Sequence, residues 1–263
     1  MTICQKNKVT KYVLLQTQKS VKHSNMNKCL FYLLIFLFIA SCKKSKTYED
    51  SNSQSTFSDL HWDRILIPEG GQVQAVAGNI DDTLLVSTLY NTYLVTNKGK
   101  TITRTSTHLN NTPGFYVVGD TIYALSADSY DERFEKHYAS IPSYYTINKG
   151  VAWHPAYNKN SLFVLTGEVT TKENITIKLN YHKGSDKNGK GDNFVHRSTI
   201  SRTENGNITL LDHPIINEQP INLYLDNKER LYILTGGSFS EAGLYISPPA
   251  RSQAYLYISK KAI

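Results

Sequence analysis

Downstream of residue 42 the chain has no cysteine at all; its three are Cys4, Cys29 and Cys42. The region that follows therefore closes no disulfide, offers no thiol nucleophile and holds no metal through sulfur. Its roughly 200 residues are enough to be held by a core alone. Net charge is almost missing as well. The whole chain has 29 basic and 22 acidic residues, but Lys6, Lys8, Lys11, Lys19, Lys22 and Lys28 precede Cys42 and no acid does, which leaves 23 against 22. A near-neutral domain lacks the electrostatic footprint of a nucleic-acid binder, so no nucleic-acid partner is expected. Sustained helical periodicity is absent from residue 60 onward. Long apolar runs are absent too, with one exception.

That exception is Leu30–Cys42, LFYLLIFLFIASC. It is too short for a spanning helix, which needs about 20 apolar residues. It has the length of a signal-peptide core, with Lys28 before it and small residues after it. Ile39, Ala40, Ser41 and Cys42 resemble the lipobox of bacterial lipoproteins: an aliphatic residue, two small residues, and the cysteine that is acylated. The resemblance implies a signal peptide over residues 1–41, lipidation of Cys42, and a membrane partner reached through that lipid. Met26-Asn27-Lys28 would make an ordinary start, so residues 1–25 read as a mis-assigned beginning. Residues 42–58, the lipidated cysteine and a polar run, read as a flexible tether. Lys43 follows the cysteine, and by resemblance to the sorting rule of enteric bacteria this favours the outer membrane, with the domain facing the periplasm or the exterior.

Residues 59–263 form one domain of all-β texture. Short runs of Val, Ile, Leu, Tyr and Thr alternate with Gly, Asn, Asp and Pro. The runs repeat. Thr83–Thr88, Thr121–Ser126, Ser161–Thr166 and Arg230–Thr235 are alike, each preceded by turn residues and each apolar on both faces. Such strands lie inside a stack of sheets. A second element follows: Tyr93–Gly99 (YLVTNKG) is similar to Tyr144–Gly150 (YYTINKG), with weaker copies at Ile200–Gly206 and Tyr255–Lys261. Each runs a strand into an Asn-X-Gly-like turn, where glycine takes positive φ.

Thr146–Trp153 (TINKGVAW) resembles a degenerate Asp-box, the Ser-X-Asp-X-Gly-X-Thr-Trp turn of sialidase-like (BNR-type) β-propellers. Asn148 stands in the aspartate position, with Gly150 and Trp153 kept; Val95–Ile102 is a poorer copy with Asn97, Gly99 and Thr101. The resemblance implies structural turns, with the aromatic packed between sheets, and not catalytic ones. A repeat of about 40–50 residues is the signature of a propeller. The expected fold is an all-β propeller of about four four-stranded blades, beginning near Gln72, Phe115, Ala156 and Ile221, the third lengthened by Asn174–Arg197. His61–Ile67 is a candidate to complete the last blade. The alternative is a truncated propeller with more blades, which leaves an exposed edge at Tyr255–Ile258.

Chemistry is sparse. Asp186, Asn188, Gly191 and Asp192 fall near calcium-loop spacing, but Lys190 and Arg197 occupy ligand positions, so no metal is expected there. His182 and His196 flank that loop. No Gly-rich phosphate loop or nucleophile elbow stands out, so no cofactor and no catalytic residue is assigned. Tyr130, Tyr138, Tyr144, Tyr145, Tyr157 and Tyr181 lie near loops and are candidates for a binding rim. The sequence reads as a lipid-anchored scaffold or binding module for protein or glycan. The second class is a sialidase-like glycoside hydrolase or lyase, which needs arginines and carboxylates converging in a central funnel.

Overall fold

The computed structural model describes residues 47–48, 59–106, 109, 111–157, 162–181, 183–184, 194–241, 244–249 and 252–263. The leader, Cys42, most of the tether, His182 and the Asp186–Asp192 loop lie outside the described residues.

The strands gather into four antiparallel sheets, the blades of a four-bladed β-propeller. Two pieces come first in the chain, β1 (Thr47–Tyr48) and β2 (Trp62–Ile67). Blade 1 is β3 (Val73–Gly78), β4 (Thr83–Thr88), β5 (Thr92–Thr96) and β6 (Thr101–Ser106), with β1 on its outer edge. Blade 2 is β7 (Gly114–Val118), β8 (Thr121–Asp131) and β9 (Lys136–Thr146); the outer edge of β9 is shared by β10 (His154–Pro155) and β11 (Phe163–Thr166). Blade 3 is β12 (Glu168–Thr170), β13 (Thr176–Asn180), β16 (Thr199–Glu204) and β17 (Asn207–Leu210). Between β13 and β16 a small ribbon pairs β14 (Lys183–Gly184) with β15 (Phe194–Val195). Blade 4 is β18 (Glu218–Leu225), β19 (Arg230–Phe239) and β21 (Ala254–Ala262), with β20 (Tyr245–Ile246) at the far end of β19. Its outermost strand is β2.

That last pairing closes the ring. Arg64 lies opposite Tyr257, Ile65 opposite Leu256 and Leu66 opposite Tyr255. The segment Tyr255–Ile258 is therefore flanked by β2 on one side and β19 on the other, and is not an exposed edge. The register follows from side-chain alternation: Ile65 and Ile67 are buried while Arg64 and Leu66, on the other face, are half-buried, and a one-residue slip would turn both isoleucines to that face.

The second strands of blades 1 and 4 carry apolar residues on both faces because each sits between two neighbours. Leu84 and Val86 pack with Ile65, Ile67, Tyr232 and Leu256 between blades 4 and 1. Leu85 faces the other way, toward Phe115 and Ile122 of blade 2. Ile233 and Leu231 pack with Ile177, Ile200 and Leu223 between blades 3 and 4. The junction of blades 2 and 3 carries an ion pair, Lys136 Nζ to Glu168 Oε1 at 2.9 Å.

One expected repeat is corrected. Ser161–Thr166 does not supply the second strand of the third unit: β11 pairs with His137–Ser140 of β9 and ends blade 2. The third blade begins at β12, later than Ala156, and its second strand is β13, inside the stretch read as an insertion. The physical reason is burial. Ile175, Ile177 and Leu179 alternate into the core, whereas Phe163–Thr166 is exposed or half-buried throughout. An apolar run resembled a core strand, but an alternating strand took the place.

Candidate functional site: the central funnel

The four inner strands β3, β7, β12 and β18 converge at the axis. A buried amide ties them together there. Asn222, in the apolar run Pro220–Tyr224 of β18, accepts the Gly167 N–H through Oδ1 at 2.8 Å. Its Nδ2 donates to the Gln74 carbonyl at 2.8 Å and approaches the Pro113 carbonyl at 3.5 Å. Those three partners lead into or belong to the inner strands of blades 3, 1 and 2. Beside it Gln219 accepts the Ser198 N–H and donates to Ser198 Oγ at 2.7 Å.

Above this floor is an open cavity of about 890 Å³, at the upper end of the usual range of about 300–1,000 Å³ for ligand sites. One wall is aromatic. The hairpin β8–β9 is eleven residues on each side, with a bulge between Ala124 and Leu125 and positive φ at Ile141. Beyond the bulge its distal half folds back over the start of β7: a Cβ on Gly114 would lie 2.4 Å from the Ala139 Cβ, so only glycine fits. This brings Tyr130 and His137 over the funnel, their rings 4.7 Å apart, and the His137 ring stands edge-on to Tyr181 at 5.5 Å. Tyr181 donates its hydroxyl to the Ile221 carbonyl at 2.8 Å. That hydroxyl passes close over Gly167, where φ is +72° and a Cβ would sit 3.2 Å away. Burial of its hydroxyl end pushes the Tyr181 pKa up to about 12, with the Asp128 carboxylate adding to the effect. The residue as a whole is 45% exposed, and it lines the cavity.

The remaining lining is polar but balanced. Lys136 is held by Glu168, which raises its pKa. Asp128 lies 4.0 Å from His137 Nδ1. Gln72, Gln74 and Lys178 line the space with no side-chain hydrogen-bond partner among the described residues. No arginine lines it among the described residues. The described arginines work elsewhere: Arg64 over the Tyr255 ring, Arg133 on Asp131, Arg202 on Glu204, Arg197 over Phe239. Arg104 approaches Glu69 at 3.9 Å, and Arg230 joins Asp226 and Asp81 at the blade 4–blade 1 junction.

The sequence-marked residues divide. Tyr130, Tyr181 and His196 line the funnel. Tyr138 pairs with Phe163, Tyr145 with Tyr123 and His154, and Tyr144 packs on the core between blades 1 and 2. Tyr157 is 80% exposed and makes no wall of the cavity. The two Asn-X-Gly turns lie away from the funnel. In the second, Asn148 Oδ1 accepts the Thr146 hydroxyl and the Ala152 N–H, Thr146 Oγ1 accepts the Gly150 N–H, and Trp153 stacks on Phe115. In the first, Asn97–Gly99 forms a 3-10 turn, Gly99 packs on Ile65 of blade 4, and Thr101 opens β6 ahead of the buried Ile102. Asn148 also borders a smaller cavity of about 420 Å³ between blades 1 and 2, bridged by Lys149 and Asp82.

Sequence reading missed Gln72, Gln74, Gln219, Asn222 and Lys136. For Asn222 a signal existed. An amide inside a buried apolar strand is costly unless fully bonded, so its presence in Pro220–Tyr224 pointed to a shared polar centre.

No protein-family model matches this chain, and no curated protein matches it. Among solved structures it is similar to the Pan2 WD40 domain of Neurospora crassa, at 10% identity and a TM-score of 0.31, covering 79% of this chain and 98% of that one. It is also similar to virginiamycin B lyase from Staphylococcus aureus, at 12% identity and a TM-score of 0.23, covering 72% of this chain and 76% of that one.

Proposed function

We propose that this chain is a lipid-anchored cell-envelope β-propeller that binds a protein or glycan ligand in its central funnel, acting as a binding or assembly module without catalysing a reaction. The anchoring half of the reading is supported by Ile39-Ala40-Ser41-Cys42 behind a short apolar core. The sorting residue Lys43 favours the outer membrane. The Asp-box likeness is supported by the hydrogen bonds of Asn148 and the packing of Trp153, which suit a structural turn.

The observation that carries the binding half is the cavity itself: about 890 Å³, open, floored by amides and walled by Tyr130, His137 and Tyr181. A sialidase-like hydrolase would bring several arginines into this space to hold an acidic sugar, and the described lining has none. The anchoring is tested by growth with an alkyne-bearing fatty acid: the wild-type chain is expected to take up label and Cys42→Ser to lose it. Label on the Cys42→Ser variant, or none on the wild type, refutes the anchor. The binding is tested by Gln74→Leu, whose side chain has no hydrogen-bond partner among the described residues: it is expected to lower capture of a ligand from envelope extracts with Tm unchanged, and capture equal to wild type counts against the funnel.

A further inference from the structure

We infer that the ligand of the funnel is a neutral glycan, its ring face laid against Tyr181 and Tyr130 and its hydroxyls read by Gln72, Gln74 and Lys178; this rests on the binding reading given above. Three features of the lining lead there.

The first is charge. The groups facing the cavity are Lys136, Lys178, Asp128, Glu135 and Glu168 with His137 and His196. Lys136 is paired with Glu168 at 2.9 Å, and Lys178 against Asp128 and Glu135 leaves a formal charge of only −1 with the histidines neutral. A site built this way has little net field, so it does not concentrate an ionic ligand the way a one-signed cleft does.

The second is the type of polar group. Gln72 and Gln74 each present both a donor and an acceptor, as a sugar hydroxyl does. Neither has a side-chain partner among the described residues, although both are half-buried. Lys178 is in the same condition, with three donors available. By contrast Asn222, Gln219 and Asn180 are already engaged, with Gly167, Ser198 and Ser201. The floor is thus fixed by bonded amides, and the groups left to the ligand stand around it: Gln72 just before β3, Gln74 on β3 and Lys178 on β13.

The third is the wall. Tyr181 is anchored at its hydroxyl by the Ile221 carbonyl and propped by His137, which itself rests on Tyr130. Its orientation is therefore set before any ligand arrives, which lowers the ordering cost of binding. An apolar, rigid ring face beside free amides matches the apolar C–H face and polar rim of a pyranose. An extended peptide would also hydrogen-bond to amides, but it gains most from a free sheet edge. The inner strands β3, β7, β12 and β18 are the edges of their sheets, but backbone groups they turn to the axis are already taken: the Gly167 N–H and the Gln74 and Pro113 carbonyls by Asn222, and the Ile221 carbonyl by Tyr181.

The test is titration calorimetry on the full chain in detergent against three arms: neutral hexasaccharides (malto-, cello-, xylo-, manno- and chito-), acidic sugars (oligogalacturonate and sialyllactose), and a set of extended peptides. The expected result is binding of at least one neutral hexasaccharide, weakened tenfold or more by Tyr181→Ala and by Gln74→Leu. Tyr181→Phe, which keeps the ring, is expected to stay within about threefold, and melting curves confirm that each variant is folded. Binding confined to the acidic or peptide arm, with the same losses in the variants, overturns the ligand class and leaves the funnel reading standing. Neutral-glycan binding indifferent to both substitutions places the ligand elsewhere and overturns both. Failure of every neutral hexasaccharide to bind overturns the inference.

Discussion

Removing the side chain of Asn222 should loosen all four blades at once. Two strong inter-blade hydrogen bonds would go, from the Gly167 N–H and to the Gln74 carbonyl, both 2.8 Å long. Each is worth about 1 kcal/mol net, and leaving the buried Gly167 N–H without an acceptor costs about 1–3 kcal/mol more. Asn222→Ala is therefore expected to destabilise by roughly 3–5 kcal/mol. For a domain of this size each kcal/mol lowers Tm by about 2–4 °C, so a drop of about 10 °C is expected by near-UV circular dichroism or calorimetry. Asn222→Asp separates the two halves of the amide. It keeps the acceptor for Gly167 but turns a carboxylate oxygen toward the Gln74 and Pro113 carbonyls. That environment favours the protonated form, so the new carboxyl would have its pKa raised in the folded state. Stability gained from a group of that kind is complete below its unfolded pKa of about 3.9 and is lost as pH rises through the folded value. The variant is thus expected to be least stable near neutrality and to recover toward wild type on acidification. A wild-type melting point for Asn222→Ala, or an Asn222→Asp variant whose deficit is the same at pH 5 and pH 8, would refute the claim that one amide holds the ring centre.

The remaining expectations concern packing, closure and titration. Gly150→Ala is expected to cost clearly more than Gly206→Ala in chemical denaturation: both glycines have positive φ (+92° and +80°), but a Cβ at Gly150 would meet the Leu85 Cδ1 at 2.6 Å while one at Gly206 meets nothing within 4 Å. The Gly206 variant measures backbone strain alone, about 1–2 kcal/mol, and equal costs would show that the turn does not dock on blade 1. In a chain otherwise without cysteine after residue 42, Leu66→Cys combined with Tyr255→Cys is expected to form a disulfide under mild oxidation, because the two positions face each other across β2 and β21. Failure to cross-link, with Leu66→Cys and Ala254→Cys cross-linking instead, would mean that the closing strand is one residue out of register. Burial lowers the pKa of His213, whose Nδ1 has no hydrogen-bond partner among the described residues. Stability from such a group is present above its unfolded pKa of about 6.5 and is lost as pH falls toward the folded value. Urea midpoints of the wild type are therefore expected to fall faster than those of His213→Gln between pH 7 and pH 5; parallel profiles would show that His213 is not buried in the neutral form.

Much of the architecture was legible because it repeats. Thr83–Thr88, Thr121–Ser126 and Arg230–Thr235 are all second strands, and Tyr93–Gly99, Tyr144–Gly150 and Ile200–Gly206 all run from third strands into turns, as their likeness indicated. Ring closure by His61–Ile67 was legible for a related reason: the last unit lacked an outer strand and the segment before the first unit had no sheet of its own. The third unit was read wrongly where the repeat failed. Phe163–Thr166 has the composition of a second strand, but composition does not reveal which neighbours a strand meets. Alternation does, and Ile175, Ile177 and Leu179 carried it. The acylation motif stands on residues outside the described part of the chain, so nothing in the geometry bears on it.

The funnel was illegible for a deeper reason. Repetition shows what the blades have in common, and a funnel at their axis is built from what they do not. Its floor is an asparagine found in one inner strand only, bonded to partners 55, 109 and 148 residues away. Its aromatic wall comes from the eleven-residue β8–β9 hairpin, with its bulge and the positive φ at Ile141, and from Tyr181 at the mouth of the connection between β13 and β16. Both departures from the repeat converge on the same space. A ring of four identical blades would need only short turns there, so an overlong hairpin that requires Gly114 beneath it and an insertion that requires Gly167 beneath Tyr181 are costs to folding that blade packing does not explain. Structure that the scaffold does not need, gathered around unpaired polar groups, is the physical mark of a site. In this propeller the irregular residues are therefore where function is to be sought.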